Sequence, residues 1–216
     1  MRNEFVQTAL PPRASSPKGE RSRQAILAAA AKLATTHGLE GLSIGDLAAH
    51  LDMSKSGLYA HFKSKQELAL ATVDTAAAIF RREVVEPAGE APPGVRRLRA
   101  LAGAFLDHVR RNVFPGGCFF ASVVAEVDSR PGPTRERVAA VVSDWLALQT
   151  RCLEDAKAAG EIRRDADVPQ AVFEIESMLM AANFLFVLSN DPAPLERARK
   201  GVDALLGRLK TKGPRG

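Results

Sequence analysis

The chain has 216 residues, enough for one or two domains, and its 46% hydrophobic and 25% charged residues are ordinary globular proportions. Of its net charge of +5, a share of +4 lies in residues 1–65, where nine lysines and arginines outnumber five acidic residues. The two cysteines suggest neither a disulfide framework nor a zinc site, and no apolar run resembles a signal peptide or an uninterrupted membrane span, so we expect a cytoplasmic protein.

The composition predicts an all-α fold, because aromatic residues are few, alanine is abundant and strand-type alternation is absent. Residues 1–17 are polar, contain three prolines and are predicted to form a flexible arm. Arg13 and Lys18 either contact a nucleic acid or remain unbound. The periodic segment that follows predicts a helix up to His37, with Gly38 as its C-terminal cap. Its predicted buried stripe is Ile26, Ala29, Ala30 and Leu33.

Two short helical patterns follow at Ser43–Leu51 and Ser54–Phe62, separated only by Asp52 and Met53. A serine stands at the capping position of each pattern, and apolar residues recur at helical spacing in the first. Two residues leave room only for a turn, so the helices must cross sharply, as in a helix-turn-helix that places its second helix in the major groove of DNA. Lys65 lies in the first turn of the next helix. The free N–H groups of a helix start and a lysine side chain together favour the binding of a phosphate group.

The segment KSGLYAHFKSKQEL, residues 55–68, closely resembles the signature of the TetR family of bacterial transcriptional repressors. The resemblance implies that residues 18–65 form the DNA-binding domain and residues 66–216 a helical ligand-binding and dimerisation domain. It assigns DNA contacts to Ser43 at a helix start, to Lys55, Ser56 and Gly57 at base edges, and to Tyr59, His61 and Lys65 at phosphates. Gly45 stands where relatives often carry a base-reading side chain, so we expect weak readout from the first helix.

Beyond the motif, periodic segments predict a series of further helices. These are Ser64–Glu86, ended by Pro87, a helix from Val95 to the break at Pro115, and helices at Cys118–Val127, Thr134–Ala159, Val168–Ser189 and Pro194–Lys210. The count matches the plan of the resembled family. That resemblance also implies a mechanism, in which a small molecule enters the C-terminal domain, tilts the long helix after Ser64 and releases a pseudo-palindromic operator.

The helix predicted at Val168–Ser189 is apolar nearly all round, so it needs cover on more than one side. The last helix adds a leucine-rich stripe, and the resembled family builds its dimer interface from its last two helices. We therefore predict a homodimer, the alternative being that both helices are only monomer core. The predicted interface residues are Ile175, Leu179, Phe186, Val202, Leu205, Leu206 and Leu209.

Aromatic and flexible apolar side chains in the C-terminal helices predict an effector cavity, although each taken singly is more often a core residue. The predicted pocket residues are Phe105, Phe119, Phe120, Trp145, Met178 and Phe184, with His108, Asn112, Gln149 and Asn183 as unranked polar anchors. Residues 66–216 carry a net charge of only +1. An ionised effector would need a buried partner of opposite charge, so we expect a neutral, lipophilic small molecule.

No sequence pattern indicates catalysis, a metal site or a cofactor. A nucleophile elbow, a phosphate-binding loop and a dinucleotide fingerprint are absent, and the four histidines stand singly. Cys118 is either a redox sensor at a helix start or a small packing residue, and packing is favoured because no basic partner is identifiable. The alternative functions are a regulator controlled by a protein partner, an activator and, more remotely, an enzyme.

Overall fold

The computed structural model describes residues 17–129 and 131–211, and within these ranges the chain is helical apart from loops and one isolated bridge between Ile162 and Lys210. The all-α prediction is confirmed. The predicted arm lies, except for its last residue, outside the described residues. The helices are α1 Pro17–His37, α2 Ile44–His50, α3 Lys55–Tyr59, α4 Lys65–Phe80, α5 Glu86–Gly89, α6 Val95–Arg110, α7 Phe119–Val127, α8 Pro133–Ala158, α9 Val168–Ser189 and α10 Ala193–Leu209.

The predicted ends of α7 to α10 agree with the structure to within one residue. The prediction that Pro87 ends the helix after Ser64 was wrong. A π-helical stretch, Arg81–Val85, follows α4, and Pro87 lies in the first turn of α5. Proline is tolerated in a first turn because its missing N–H would have no partner within the helix there.

Packing divides the described residues into two compact units, those within 1–79 and 114–142 and those within 80–113 and 143–216. The first unit contains α1 to α3, α4 up to Ile79, α7 and the first part of α8. The second contains the π-helical stretch, α5, α6, the rest of α8, α9 and α10. The units are therefore not consecutive in sequence, since α7 and the first part of α8 are grouped with the helix-turn-helix, whereas α6, which precedes α7 in the chain, belongs to the second unit.

In the first unit, α1 and the helix-turn-helix share one apolar core. Ile26 and Ala30 of the predicted stripe are buried, whereas Ala29 and Leu33 are half-buried. Leu58 and Phe62 are fully buried beneath the helix-turn-helix. Leu58 lies on α3, but Phe62 follows it, because α3 is only five residues long and ends at Tyr59.

In the second unit, α6 packs against α9 and α10 with its apolar face. The arginine-rich face of α6 forms ion pairs with α10. Arg99 Nε lies 2.6 Å from Asp203 Oδ1, Asp107 Oδ1 accepts from Arg199 at 3.1 Å, and Arg110 pairs with Glu196. These pairs are largely solvent-exposed, so each contributes little to stability, about 0–1 kcal/mol.

The residues predicted for the dimer interface lie in the core of the second unit. Ile175, Leu179, Phe186, Val202, Leu205, Leu206 and Leu209 are all buried within the single chain. The sequence showed that α9 is apolar on several sides, and the structure shows which side faces its own chain. The outward side carries a row that we call the exposed α9 stripe: Phe173, Ser177, Ala181, Phe184 and Leu188.

The exposed α9 stripe is unusually apolar for a solvent-facing surface. Phe173 is 66% exposed, Phe184 64% and Leu188 73%. These residues recur at helical spacing, with the small residues Ser177 and Ala181 between them. Among the described residues, α9 is also the one helix long and apolar enough to cross a membrane, a property shared by core helices of soluble proteins.

Candidate nucleic-acid interface

The helix-turn-helix begins each of its two helices with a serine cap, as predicted. Ser43 Oγ accepts a hydrogen bond from the Asp46 amide at 3.0 Å and donates to Asp46 Oδ2 at 2.6 Å. Ser54 Oγ accepts from the Gly57 amide at 3.1 Å. Between the helices, Asp52 adopts a left-handed φ of +51°. Asp tolerates this conformation better than most residues, which allows the sharp turn between α2 and α3.

One face of α3 is buried and the other is open to solvent. Leu58 faces the core, whereas Lys55 and Ser56 are exposed and Tyr59 is 57% exposed. Gly57 is half-buried, and so is His61, which follows the helix. The structure therefore places Lys55, Ser56 and Tyr59 together on one accessible helix, and the half-buried His61 follows it.

Lys55 lies across the start of α2. A Cβ added at Gly45 would lie 3.2 Å from Lys55 Cε and 3.4 Å from its Nζ. The absent side chain at Gly45 thus leaves space that the Lys55 side chain occupies. A residue with a long side chain at position 45 would compete with Lys55 for this space.

Lys65 is paired with Glu40, a contact that the sequence did not predict. Its Nζ donates to the Glu40 carbonyl oxygen and lies 3.5 Å from Glu40 Oε2. Both side chains are about half exposed, so Lys65 remains accessible to a phosphate. The start of α4 is capped beside it: Glu67 N donates to Ser64 Oγ at 3.1 Å, and Lys63 N donates to Glu67 Oε2 at 2.9 Å.

Of the six predicted pocket residues, Phe105 and Trp145 lie together in an aromatic cluster of the second unit. The rings of Phe105 and Trp145 stack with centroids 6.3 Å apart, and Phe80 meets Trp145 edge-on at 5.2 Å. Trp145 Nε1 and Gln149 Nε2 both donate to Glu176 Oε2, at 2.9 and 3.0 Å. Gln149 is fully buried, and its Oε1 accepts no hydrogen bond from the described residues.

The other predicted pocket residues do not join this cluster. Phe119 and Phe120 belong to the first unit, where their rings lie 5.2 Å apart. Met178 is half-buried and packs so closely on α10 that a Cβ added at Gly201 would lie 2.5 Å from its Sδ. Phe184 belongs to the exposed α9 stripe. Of the candidate anchors, Asn112 is exposed, while His108, Gln149 and Asn183 are buried.

Neither cysteine shows the environment of a reactive thiol. Both Cys118 and Cys152 are buried. Burial raises the pKa of Cys152 to about 11, although Arg97 acts in the opposite direction, so this thiol is protonated at neutral pH. Within the described parts of the chain, no group of three or more His, Cys, Asp and Glu side chains is arranged to hold a metal ion.

Comparison with known proteins identifies both parts of the chain. Residues 26–72 match the family model described as "Bacterial regulatory proteins, tetR family". Residues 94–202 match the model described as "Tetracyclin repressor-like, C-terminal domain". The chain is also 22% identical, over 66% of its length and 71% of the relative's, to the HTH-type transcriptional repressor DhaR from Mycobacterium sp. (strain GP1).

Two solved structures extend this similarity to the whole fold. A TetR transcriptional regulator from Chloroflexus aurantiacus J-10-FL is 29% identical, with a TM-score of 0.83 over 89% of this chain and 98% of that one. AibR, in complex with isovaleryl coenzyme A and operator DNA, is 25% identical, with a TM-score of 0.67 over 87% of this chain and 97% of that one. Together with the helix-turn-helix geometry, these matches show that the chain belongs to the TetR family of bacterial regulatory proteins and is a DNA-binding transcriptional regulator.

Proposed function

We propose that the protein is a cytoplasmic repressor that binds a pseudo-palindromic operator as a homodimer and is released by a small molecule. The observation that carries the proposal is the open face of α3, where Lys55, Ser56 and Tyr59 stand exposed over a buried Leu58. A helix of this kind fits the major groove, and two copies related by a twofold axis would read two half-sites. The similarity to the repressor DhaR supports repression over activation.

The exposed α9 stripe supports the dimeric assembly. Its large apolar side chains lose favourable burial when they face water, and its central small residues, Ser177 and Ala181, let a second helix approach closely. A second copy of the chain presents the same stripe, which gives a self-complementary contact about a twofold axis. We therefore assign the dimer contact to this stripe in place of the buried residues predicted from the sequence.

The proposed effector site lies at the cluster of Phe105 and Trp145. Glu176 and the acceptor oxygen of Gln149 are the polar groups beside it. A carboxylate repels anions, and Glu176 Oε2 already accepts two hydrogen bonds from Trp145 and Gln149, so the proposed effector is a neutral aromatic or aliphatic molecule whose hydrogen-bond donor meets Gln149 Oε1. An acyl coenzyme A such as the ligand of AibR would bring several phosphate charges, which this cluster does not match.

Trp145 is the only tryptophan of the chain, so its fluorescence reports directly on this proposed site. We expect a neutral lipophilic effector to change that fluorescence and to release operator DNA over the same concentration range. A thermal-shift screen of small lipophilic compounds supplies candidates for the titration. Release of DNA by a phosphorylated or carboxylated metabolite, with the Trp145 signal unchanged, would contradict the assignment.

The DNA-binding role is tested by selecting an operator from a random duplex library and measuring its binding at several salt concentrations. Lys65→Ala should weaken binding to operator and random DNA alike and lower the slope of log affinity against log salt by about one unit. Lys55→Ala should instead change which bases are preferred, because base-edge contacts carry sequence information.

Lys32→Ala serves as the control, since it removes the same charge from an exposed position on α1. It should leave the base preference unchanged and alter the salt slope less than Lys65→Ala does. Selection that yields no preferred sequence would contradict the proposed function. An unchanged slope in Lys65→Ala would contradict only the phosphate contact of that residue.

A further inference from the structure

The loop that leads into the helix-turn-helix is held by a carboxylate from a distant part of the chain. Glu126, near the end of α7, accepts hydrogen bonds from the backbone amides of Leu39 at 2.7 Å and Glu40 at 2.6 Å. These two amides directly follow Gly38, whose φ of +80° ends α1. A Cβ added at Gly38 would lie 3.1 Å from both carboxylate oxygens, so the glycine also gives the carboxylate room to approach.

A second contact fixes the start of the α7 segment on the same end of α1. The Gly116 amide donates to Thr35 Oγ1 at 3.0 Å, and a Cβ added at Gly116 would lie 2.0 Å from the Thr35 carbonyl oxygen. Ser122 Oγ in turn donates to the Gly116 carbonyl at 3.0 Å. Residues 116–126 therefore bond to the chain on both sides of the C-terminal end of α1, at Thr35 and at residues 39–40.

The position of this loop determines where α2 begins. Only Gly41 and Leu42 separate Glu40 from Ser43, which caps α2. The side chains of Leu39 and Leu42 are buried and hold the loop to the core. The remaining variable is the backbone path at residues 39–40, where the two amides bond to Glu126. Because only residues 51–54 join α2 to α3, a shift of the loop would also move the reading helix.

We infer that Glu126 is a positioning residue for DNA reading: its carboxylate holds the 39–40 amides and thereby sets the orientation of α2 and α3. The inference rests on the proposed function of this helix-turn-helix. An ionised carboxylate suits the role because it accepts two amide hydrogen bonds without offering a donor, and such charge-assisted bonds are stronger than neutral ones. Glu126 lies within the range matched by the C-terminal family model, so a segment of that range is part of the DNA-reading apparatus.

The test compares Glu126→Gln with Asp128→Asn, using the full-length protein. Both variants remove one negative charge at the end of α7, but the Asp128 side chain is exposed and has no hydrogen bond to the 39–40 amides. Glutamine offers one acceptor oxygen where the carboxylate offers two, so its NH₂ group, which is a donor, faces one of the two backbone N–H groups. We expect Glu126→Gln to lower operator affinity about tenfold relative to Asp128→Asn, a loss consistent with one charge-assisted hydrogen bond.

Affinity for a random duplex should be equal in the two variants, because non-specific binding depends on phosphate charge and not on helix orientation. Amide hydrogen exchange at Leu39 and Glu40 should be faster in Glu126→Gln alone. An operator-to-random affinity ratio equal to that of Asp128→Asn would overturn the inference. Equal losses on both DNAs, together with a lower melting temperature, would also overturn it, by showing a general structural role. If selection finds no operator, the proposed function fails and this inference with it.

Discussion

The double variant Phe184→Glu, Leu188→Glu is expected to be monomeric. Its operator affinity should fall roughly 100-fold or more, because a single subunit engages only one half-site. Both side chains belong to the exposed α9 stripe and lie one helical turn apart. Two carboxylates placed in a self-complementary contact would lose their hydration and face their own copies across the twofold axis. Sedimentation equilibrium and operator titration measure the two effects.

The control is Ala140→Glu with Ala158→Glu, which adds the same charge at two exposed positions on α8. This variant should remain dimeric and bind the operator almost as the wild type does. Leu206→Glu gives a different comparison, since Leu206 is fully buried in the second unit. It should destabilise the fold of the protomer itself. An unchanged dimer in the Phe184 and Leu188 variant would place the interface elsewhere.

Stability is expected to fall between pH 7.5 and pH 5.5 because of His108. Burial lowers the pKa of His108 from its ordinary 6.5 to about 4; the nearby Glu83 acts against this shift and Arg111 adds to it. The imidazole lies on α6, with its ring centroid 5.9 Å from that of Phe80. Below pH 6.5 the unfolded chain therefore takes up a proton at this residue that the folded chain does not.

The sign follows from proton linkage: the unfolded state binds more protons, so the free energy of unfolding decreases as pH falls. The His108 contribution is complete above pH 6.5 and is lost progressively down to about pH 4. Between pH 7.5 and 5.5 the loss is about 1.3 kcal/mol, and over the whole interval about 3 kcal/mol. Denaturant unfolding at a fixed protein concentration measures it.

His108→Leu should lose this component of the pH dependence, while His50→Leu, at an exposed position on α2, should retain it. The comparison is limited to pH 5.5 and above so that carboxylate titration contributes little. If wild type and His108→Leu show the same slope, another group must account for the pH dependence.

The helix-turn-helix was predictable because its determinants are local. Ser43 and Ser54 cap helices whose starts they mark in the sequence, and two residues between the patterns allow only a turn. The ends of α7 to α10 were equally readable from apolar spacing and from flanking glycines and prolines. The π-helical stretch after Phe80 had no such local signal, and Pro87 was misread because proline is compatible with a helix start as well as a helix end.

The partners of each apolar face were decided only by the tertiary structure. Periodicity showed that α9 and α10 are apolar, but Leu179 and Leu206 face their own chain while Phe184 and Leu188 face solvent. For the same reason the sequence assigned Phe119 and Trp145 to one pocket, whereas the structure places them in different units. Hydrophobic spacing identifies a face that must be covered, and it carries no information on which element covers it.

By itself, the sequence determined the fold class, the reading motif and the bounds of α7 to α10, because each depends on residues within a few positions of one another. The Glu126 contact with the 39–40 amides joins residues 87 and 86 positions apart and leaves no local pattern. Which side chains form the core, which stripe remains exposed and which helix holds the reading loop therefore emerged only from the packed chain. Such contacts depend on the path of the whole backbone. Until that path is known, nothing in the sequence distinguishes Glu126 from other acidic residues on helix surfaces.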